Sequence, residues 1–203
     1  MNILWIGGWA IPIEYIKNQV ETAFSKVNSH KYNHSFIYPN KNYIKFIKNP
    51  NFDIIIGYSL GATLLLFEKE IISIRAKKYY IAPFLNIEEA TTVKETQLKF
   101  LLRKLKLDPI HSIEDFYMRA YLAMEDIKEL PYPLRELCWG IEMLIQSKEF
   151  VVKIYDDSNR ILLGSEDPLV NQKFFERNFN SLKIIKGANH ELKSFLPELS
   201  NSF

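Results

Sequence analysis

The stretch DIIIGYSLGATLLLF, residues 53–67, narrows the possible folds more than any other part of the chain. An apolar run of strand type enters a Gly-Tyr-Ser-Leu-Gly turn and leaves at once into a second apolar run. A strand apolar on both faces belongs to a parallel sheet covered by helices on each side, because an antiparallel sheet with one wet face alternates apolar and polar residues. The turn also carries a chemical meaning. A serine hydroxyl becomes a useful nucleophile only when held out from the fold, beside a base and beside donors for an oxyanion, and a sharp strand-to-helix turn does this. Its crowded backbone leaves little room for side chains two positions either side of the serine, hence Gly57 and Gly61 around Ser59. The Leu60 backbone N–H then points at the developing oxyanion, aided by the N-terminus of the following helix. Taken alone, the motif has a second reading as a plain turn with a capping serine.

The rest of the chain repeats the alternation. Short apolar runs ending in Gly, Pro, Asn or Asp are separated by longer amphipathic stretches, which is the α/β pattern. Strands are expected at 2–6, 35–38, 52–58, 77–82, 160–164 and 182–186, and helices at 13–27, 60–74, 171–179 and 191–199. From 86 to 150 the pattern becomes helical, with Leu98, Leu101, Leu102 and Leu105 on one face and Lys99, Arg103 and Lys106 opposite. This segment reads as an inserted lid, cut by Pro109, Pro131 and Pro133 into three or four short helices. The expected organisation is a core of 1–85 and 151–203 with a lid of 86–150 between the fourth and fifth strands.

Composition removes other classes. A chain of 203 residues, 47% hydrophobic and 25% charged, fits one domain with a real core. The net charge of +2 is too mild for a nucleic-acid binder that works by phosphate neutralisation. Its one cysteine, Cys138, excludes an internal disulfide and a Cys-rich metal site, and points to a reducing cytoplasm. MNILWIGGWA has no positive region ahead of its apolar run, and no apolar stretch approaches the ~18 to 20 residues of a membrane span, so neither export nor insertion is expected.

Partners for Ser59 lie downstream. In RILLGSEDPLV, Asp167 follows an apolar strand; in LKIIKGANHEL, His190 follows the last one. All three stand at the carboxyl ends of expected strands, which in a parallel sheet share one edge, so Ser59, Asp167 and His190 can converge. His190 would take the Ser59 proton and later return it to the leaving group, while Asp167 fixes the imidazole tautomer and stabilises its cation. Separately, Asp167 before Pro168 also reads as a turn residue and His190 as a helix N-terminal residue. Glu166 is the nearest substitute for Asp167, with Asp156 and Asp157 poorer ones. His30, His34 and His111 sit in polar contexts and read as surface residues. At the start, ILWIGGWA is a strand ending in Gly7, Gly8 and Trp9, where the chain bends over the serine. The Trp9 N–H is the expected second oxyanion donor, whether or not the indole also fills the core.

At these residues the chain resembles the α/β-hydrolase superfamily: G-G-W after the first strand, G-Y-S-L-G at the elbow, G-S-E-D-P-L-V near the acid and G-A-N-H near the end. Within it, the small size, the G-W, the S-L-G elbow and WGIEMLIQSKEF at the lid's exit look like the pimeloyl-[acyl-carrier protein] methyl ester esterases of biotin synthesis, the BioH and BioG type. The resemblance implies Ser59 as nucleophile, Asp167 as acid, His190 as base, and Trp9 and Leu60 as oxyanion donors. Two departures are visible. Gly7 stands where many relatives carry a histidine, and the chain starts directly at the oxyanion strand, which predicts a trimmed sheet of about six parallel strands. The implied substrate is a pimeloyl methyl ester on an acidic acyl-carrier protein received by basic lid residues, for which Lys99, Arg103, Lys106, Arg119 and Arg135 are candidates; a basic helix face is also simply solvated in many proteins. Phe116, Tyr117, Tyr121 and Trp139 are candidates for an acyl channel, with core packing as the other explanation.

The expected activity is therefore carboxylester hydrolysis through an acyl-enzyme by a monomer, with no metal or organic cofactor, since no ligands cluster at metal spacing and no glycine-rich phosphate loop is present. A short-acyl esterase or thioesterase would use the same triad with another pocket. A catalytically silent binding protein of the same fold is the competitor from a different class.

Overall fold

The apolar run after Asp53 forms a strand, β3 (Ile54–Tyr58), buried along its whole length. In a computed structural model that describes residues 1–25, 31–68, 74–85, 89–124, 127–147 and 160–203, this strand lies in the middle of one sheet. Its neighbours are β1 (Asn2–Ile6), β2 (Asn33–Ile37), β4 (Lys77–Ile81), β5 (Arg160–Gly164) and β6 (Leu182–Ile185). The order is β2-β1-β3-β4-β5-β6, and every pair is parallel. Burial follows this order: β1, β3, β4 and β5 are almost wholly buried, whereas the edge strands β2 and β6 are half-exposed. That is why the central strands read as continuous apolar runs.

Helix placement follows from crossover handedness. The chain moves one way across the sheet from β1 to β2 and the other way from β3 to β4, so right-handed crossovers put the first two connecting helices on opposite faces. The first, α1 (Ile13–Phe24), buries Ile16, Val20 and Phe24. It packs against a 3-10 turn (Leu192–Ser194) and the last helix (Leu196–Ser200). A five-residue helix, α2 (Tyr43–Ile47), was not expected; it is too short to show periodicity and buries only Tyr43 and Ile47, one turn apart. The elbow helix, α3 (Leu60–Phe67), ends at Glu68, whose backbone is extended, while 69–73 of the expected helix fall outside the described residues.

Among the described residues three helices follow between β4 and β5: α4 (Glu95–Leu107), α5 (Pro109–Arg119) and α6 (Leu134–Gln146). Pro109 opens α5 at a position where its missing N–H costs nothing, and Pro133 precedes α6. α4 packs against both others, burying Leu98 and Leu105 and leaving Lys99, Arg103 and Lys106 outward. After β5 comes α7 (Gln172–Asn178). The last helix, α8 (Leu196–Ser200), is shorter than expected because Pro197 has no amide to continue a helix through 191–199, and the chain makes the 3-10 turn first. His30, Asp156, Asp157 and positions 148–150 of the WGIEMLIQSKEF segment lie outside the described residues. No helix among the described residues is long and apolar enough to cross a membrane.

One expected surface residue is half-buried among aromatic rings. His34 sits in β2 inside a ring cluster with Trp5, Phe24, Tyr32 and Phe36, and its Nδ1 accepts a hydrogen bond from the Trp5 indole at 3.0 Å. Burial lowers its pKa from the ordinary 6.5, against a smaller upward pull from Glu21 and with a further downward push from the terminal amine. The unfolded chain therefore takes up a proton before the native state does. Stability is full above about pH 6.5 and falls as the pH drops from there toward the lowered native value. Urea midpoints measured between pH 7.5 and 5 are expected to decline on acidification in the wild type and to decline less in His34→Gln, which keeps an acceptor for Trp5 and does not titrate.

Candidate active site

Ser59 caps α3 with φ 52° and ψ −116°, a left-handed conformation rarely taken by a residue with a side chain. Its amide donates to Ile81 O at 2.8 Å, which ties the strained residue to β4. The flanking glycines are imposed by contact. A Cβ on Gly57 would lie 2.6 Å from the backbone of Ala62, and one on Gly61 would lie 2.2 Å from Ile6 O. Only with both side chains absent can α3 start this close to β1 and β3.

The loops after β5 and β6 bring the other two residues to the same sheet edge. His190 Nε2 lies 3.0 Å from Ser59 Oγ, and His190 Nδ1 lies 2.7 Å from Asp167 Oδ2. The His190 and Asp167 side chains are each 1% exposed, and Ser59 is 6% exposed. A carboxylate accepts but cannot donate, so Nδ1 carries the ring proton and Nε2 presents its lone pair to the serine hydroxyl. Asp167 is held in turn by the Leu169 amide, 2.9 Å from its Oδ1. Glu166 is exposed, and its amide is used by Ala188 O, which leaves Asp167 as the carboxylate at the imidazole.

One further group braces His190, and its sequence neighbour Glu191 is fixed separately. The hydroxyl of Tyr58, the residue before the serine, donates to His190 O at 2.8 Å, and burial drives that phenol's pKa well upward, keeping the donor protonated. Glu191 is buried at 3% exposure and is satisfied by the Tyr15 hydroxyl at 2.6 Å and Lys193 Nζ at 2.8 Å. Neither set of contacts is expected from the sequence. A hydroxyl that reaches a carbonyl 132 positions away leaves no mark on local pattern.

Gly8 approaches the serine closely; a Cβ there would lie 3.2 Å from Ser59 Cβ. The amides of Trp9 and Leu60 donate to no other described residue. The Trp9 indole, 2% exposed, donates to Leu137 O at 2.8 Å and meets the Phe116 ring edge-on at 4.9 Å.

Above Ser59 opens a cavity of about 360 Å³. Its walls are mostly apolar, with Trp9, Phe84, Leu101, Phe116, Ile141 and Leu144 among them, and Lys104, Asp115 and Arg119 also line it. Phe116 is thus in the wall. The other three acyl-channel candidates lie elsewhere: Tyr117 is buried and bonded to Ala10 O, Tyr121 is 63% exposed, and Trp139 faces Tyr43. Phe116 and Tyr117 are adjacent on α5, about 100° apart around the helix, so one faces the cavity and the other the core.

Among the basic candidates, Lys99 pairs with Glu95 at 2.6 Å and Arg135 with its neighbour Glu136 at 3.2 Å. Arg103, Lys106 and Arg119 are exposed and form no ion pair with a described residue. Lys104 is bound to Asp115 and, through that hydrogen bond, holds the carboxyl below its ordinary pKa. Among the described residues no group of three His, Cys, Asp or Glu side chains is placed to hold a metal ion.

This sheet order, with a strained serine after the third strand and an acid and a histidine after the fifth and sixth, is an α/β-hydrolase fold in trimmed form. No family model matches the chain, and no curated protein does. Solved structures do. The chain is similar to the bottromycin epimerase BotH in complex with bottromycin A2, at 10% identity over 99% of this chain and 88% of that one, with a TM-score of 0.62. It is similar to a structure of the metagenome-derived lipolytic enzymes LipS and LipT, at 13% identity over 100% and 92%, TM-score 0.54. A third is mouse alpha/beta hydrolase domain-containing protein 10, at 15% identity over 99% and 87%, TM-score 0.52. Likeness at this level defines the fold. One of these proteins is an epimerase and another lipolytic, so the reaction has to be argued from the site.

Proposed function

We propose that the protein is a serine carboxylester hydrolase acting through an acyl-enzyme, and that its substrate is the methyl ester of a pimeloyl chain borne on an acyl-carrier protein. The line of hydrogen bonds from Ser59 through His190 to Asp167, at the floor of an apolar cavity, carries the reading. Ser59 Oγ adds to the ester carbonyl as His190 Nε2 takes its proton, and Asp167 steadies the imidazolium. The amides of Trp9 and Leu60 meet the oxyanion. Collapse expels methanol, which leaves with the proton from Nε2; water then repeats the steps and frees the acid.

Size and charge support the finer part. A cavity of about 360 Å³ is at the low end of the ~300–1,000 Å³ range of small-molecule sites, which suits one acyl chain of moderate length better than a multi-chain lipid. Arg103, Lys106 and Arg119, exposed on the helices that wall the cavity, suit an acidic carrier, and the three helices α4 to α6 serve as the lid that receives it. Lys99 and Arg135 contribute less because each already has a carboxylate partner.

The test compares wild type and Ser59→Ala on pimeloyl-carrier methyl ester and on a short p-nitrophenyl ester. Cleavage of both by the wild type and neither by the variant is the expected result. If only the short ester is cleaved, the carrier substrate is wrong and the hydrolase stands; if neither is cleaved, the chain is a binding protein.

A further inference from the structure

The turn from Gly8 to Ala10, which carries the amide proposed as one oxyanion donor, is tied to the helical segment between β4 and β5 through Tyr132, Tyr117 and Leu137. Tyr132, just before α6, places its hydroxyl between the two peptides that flank Trp9: it accepts from the Ala10 N–H and donates to Gly8 O at 3.5 Å. Tyr117 of α5 donates its hydroxyl to Ala10 O. The Trp9 indole is anchored on α6 through Leu137 O at 2.8 Å. Both tyrosines are buried, at 5% and 4% exposure, and the Tyr132 ring stacks on Tyr38 at 4.9 Å and 9°.

Two physical points turn this arrangement into a function. Gly8 C=O and Trp9 N–H belong to one planar trans peptide and point in opposite directions, so the donors on the carbonyl, the Tyr132 hydroxyl and the Ile11 N–H at 3.4 Å, fix the direction of that N–H, next to a glycine whose added Cβ would lie 3.2 Å from Ser59 Cβ. Withdrawal of electron density through that carbonyl also strengthens the N–H as a donor. Ala10 moreover has φ 58°, a conformation that persists only when its surroundings hold it, and both of its backbone polar groups are held by these hydroxyls.

We infer that Tyr132, assisted by Tyr117, is a positioning residue that orients the Gly8–Trp9 peptide as an oxyanion donor, so that the helical segment completes the catalytic apparatus as well as walling the cavity. This rests on the serine-hydrolase reading. The hydroxyls touch backbone only, and neither tyrosine lines the cavity, so their removal acts on the transition state and not on substrate fit.

The experiment measures kcat, KM and the affinity of an acyl trifluoromethyl ketone for wild type, Tyr132→Phe, Tyr117→Phe and the double variant. The ketone accepts Ser59 Oγ at its carbonyl carbon, sends the serine proton to His190 and leaves an oxyanion facing the Trp9 amide. The expected result is a fall in kcat of about tenfold or more in Tyr132→Phe, somewhat below the ~100- to 1,000-fold seen when a donor is removed outright. KM should stay within about twofold, and ketone affinity should fall in step with kcat. The single variants carry the test if the double variant does not fold. Unchanged kcat, or a loss of kcat with ketone affinity intact, overturns the inference while the hydrolase reading stands. A wild type that neither turns over an ester nor binds the ketone overturns the hydrolase reading itself.

Discussion

Ser59→Ala is expected to lower turnover of any ester the protein accepts by roughly ten-thousandfold to a millionfold, with the fold intact. The serine is the atom source of the covalent intermediate, so no neighbouring group replaces it, and what remains comes from binding and the oxyanion donors alone. Its hydroxyl is spaced for one task, 3.0 Å from an imidazole whose other nitrogen is committed to Asp167. Asp167→Asn is the informative companion. The amide side chain is the same size and can present its N–H₂ to Nδ1, which moves the ring proton to Nε2 and takes away the base; a loss of about ten-thousandfold in kcat is expected. Initial rates together with melting temperatures for the two variants check this. A variant that keeps a tenth of wild-type kcat, with no other nucleophile acylated, contradicts the assignment.

The second large effect concerns stability. Gly61→Ala would put a methyl carbon 2.2 Å from Ile6 O and 2.7 Å from Gly7 O, both main-chain atoms that no rotamer change can clear. The Gly61 N–H also donates to Gly7 O at 3.1 Å, a bond broken by the same displacement. Overpacking costs about 1–3 kcal/mol where side chains can shift, and this site lies at or above that upper value. At ~2–4 °C per kcal/mol for a chain of this length, the melting temperature should drop by about 6–12 °C. Gly7→Ala is the control: its methyl would meet the tip of the Ile16 side chain at 2.8 Å, which can move, so a much smaller drop is expected. Equal losses in the two variants would contradict the account of the elbow as a backbone-on-backbone contact.

What was legible in the sequence follows a physical rule. β3, Ser59 and its two glycines were readable because close backbone approach and burial on both strand faces restrict residue choice at fixed spacing. The Ser-Asp-His order was readable because parallel strands bring their carboxyl ends to one edge. Contacts that depend on tertiary meeting points were not. Tyr132 and Tyr117 act on Ala10 across 122 and 107 positions, and nothing in PYPLRE or IEDFYM marks them as different from core aromatics. His34 looked polar in sequence because HSF on an edge strand alternates, whereas the ring cluster around it is assembled from three separated segments. The break at Pro197 was present in the sequence, and a helical period across 191–199 hid it.

The central claim is that Ser59 carries the acyl group, and the most direct measurement is a rapid-mixing experiment with p-nitrophenyl hexanoate followed by acid quench and peptide mass analysis. The account predicts a burst of about one p-nitrophenol per active enzyme, with the hexanoyl mass on the peptide containing Ser59. Steady release without a burst, with the Ser59 peptide unmodified and Ser59→Ala equally active, would contradict it.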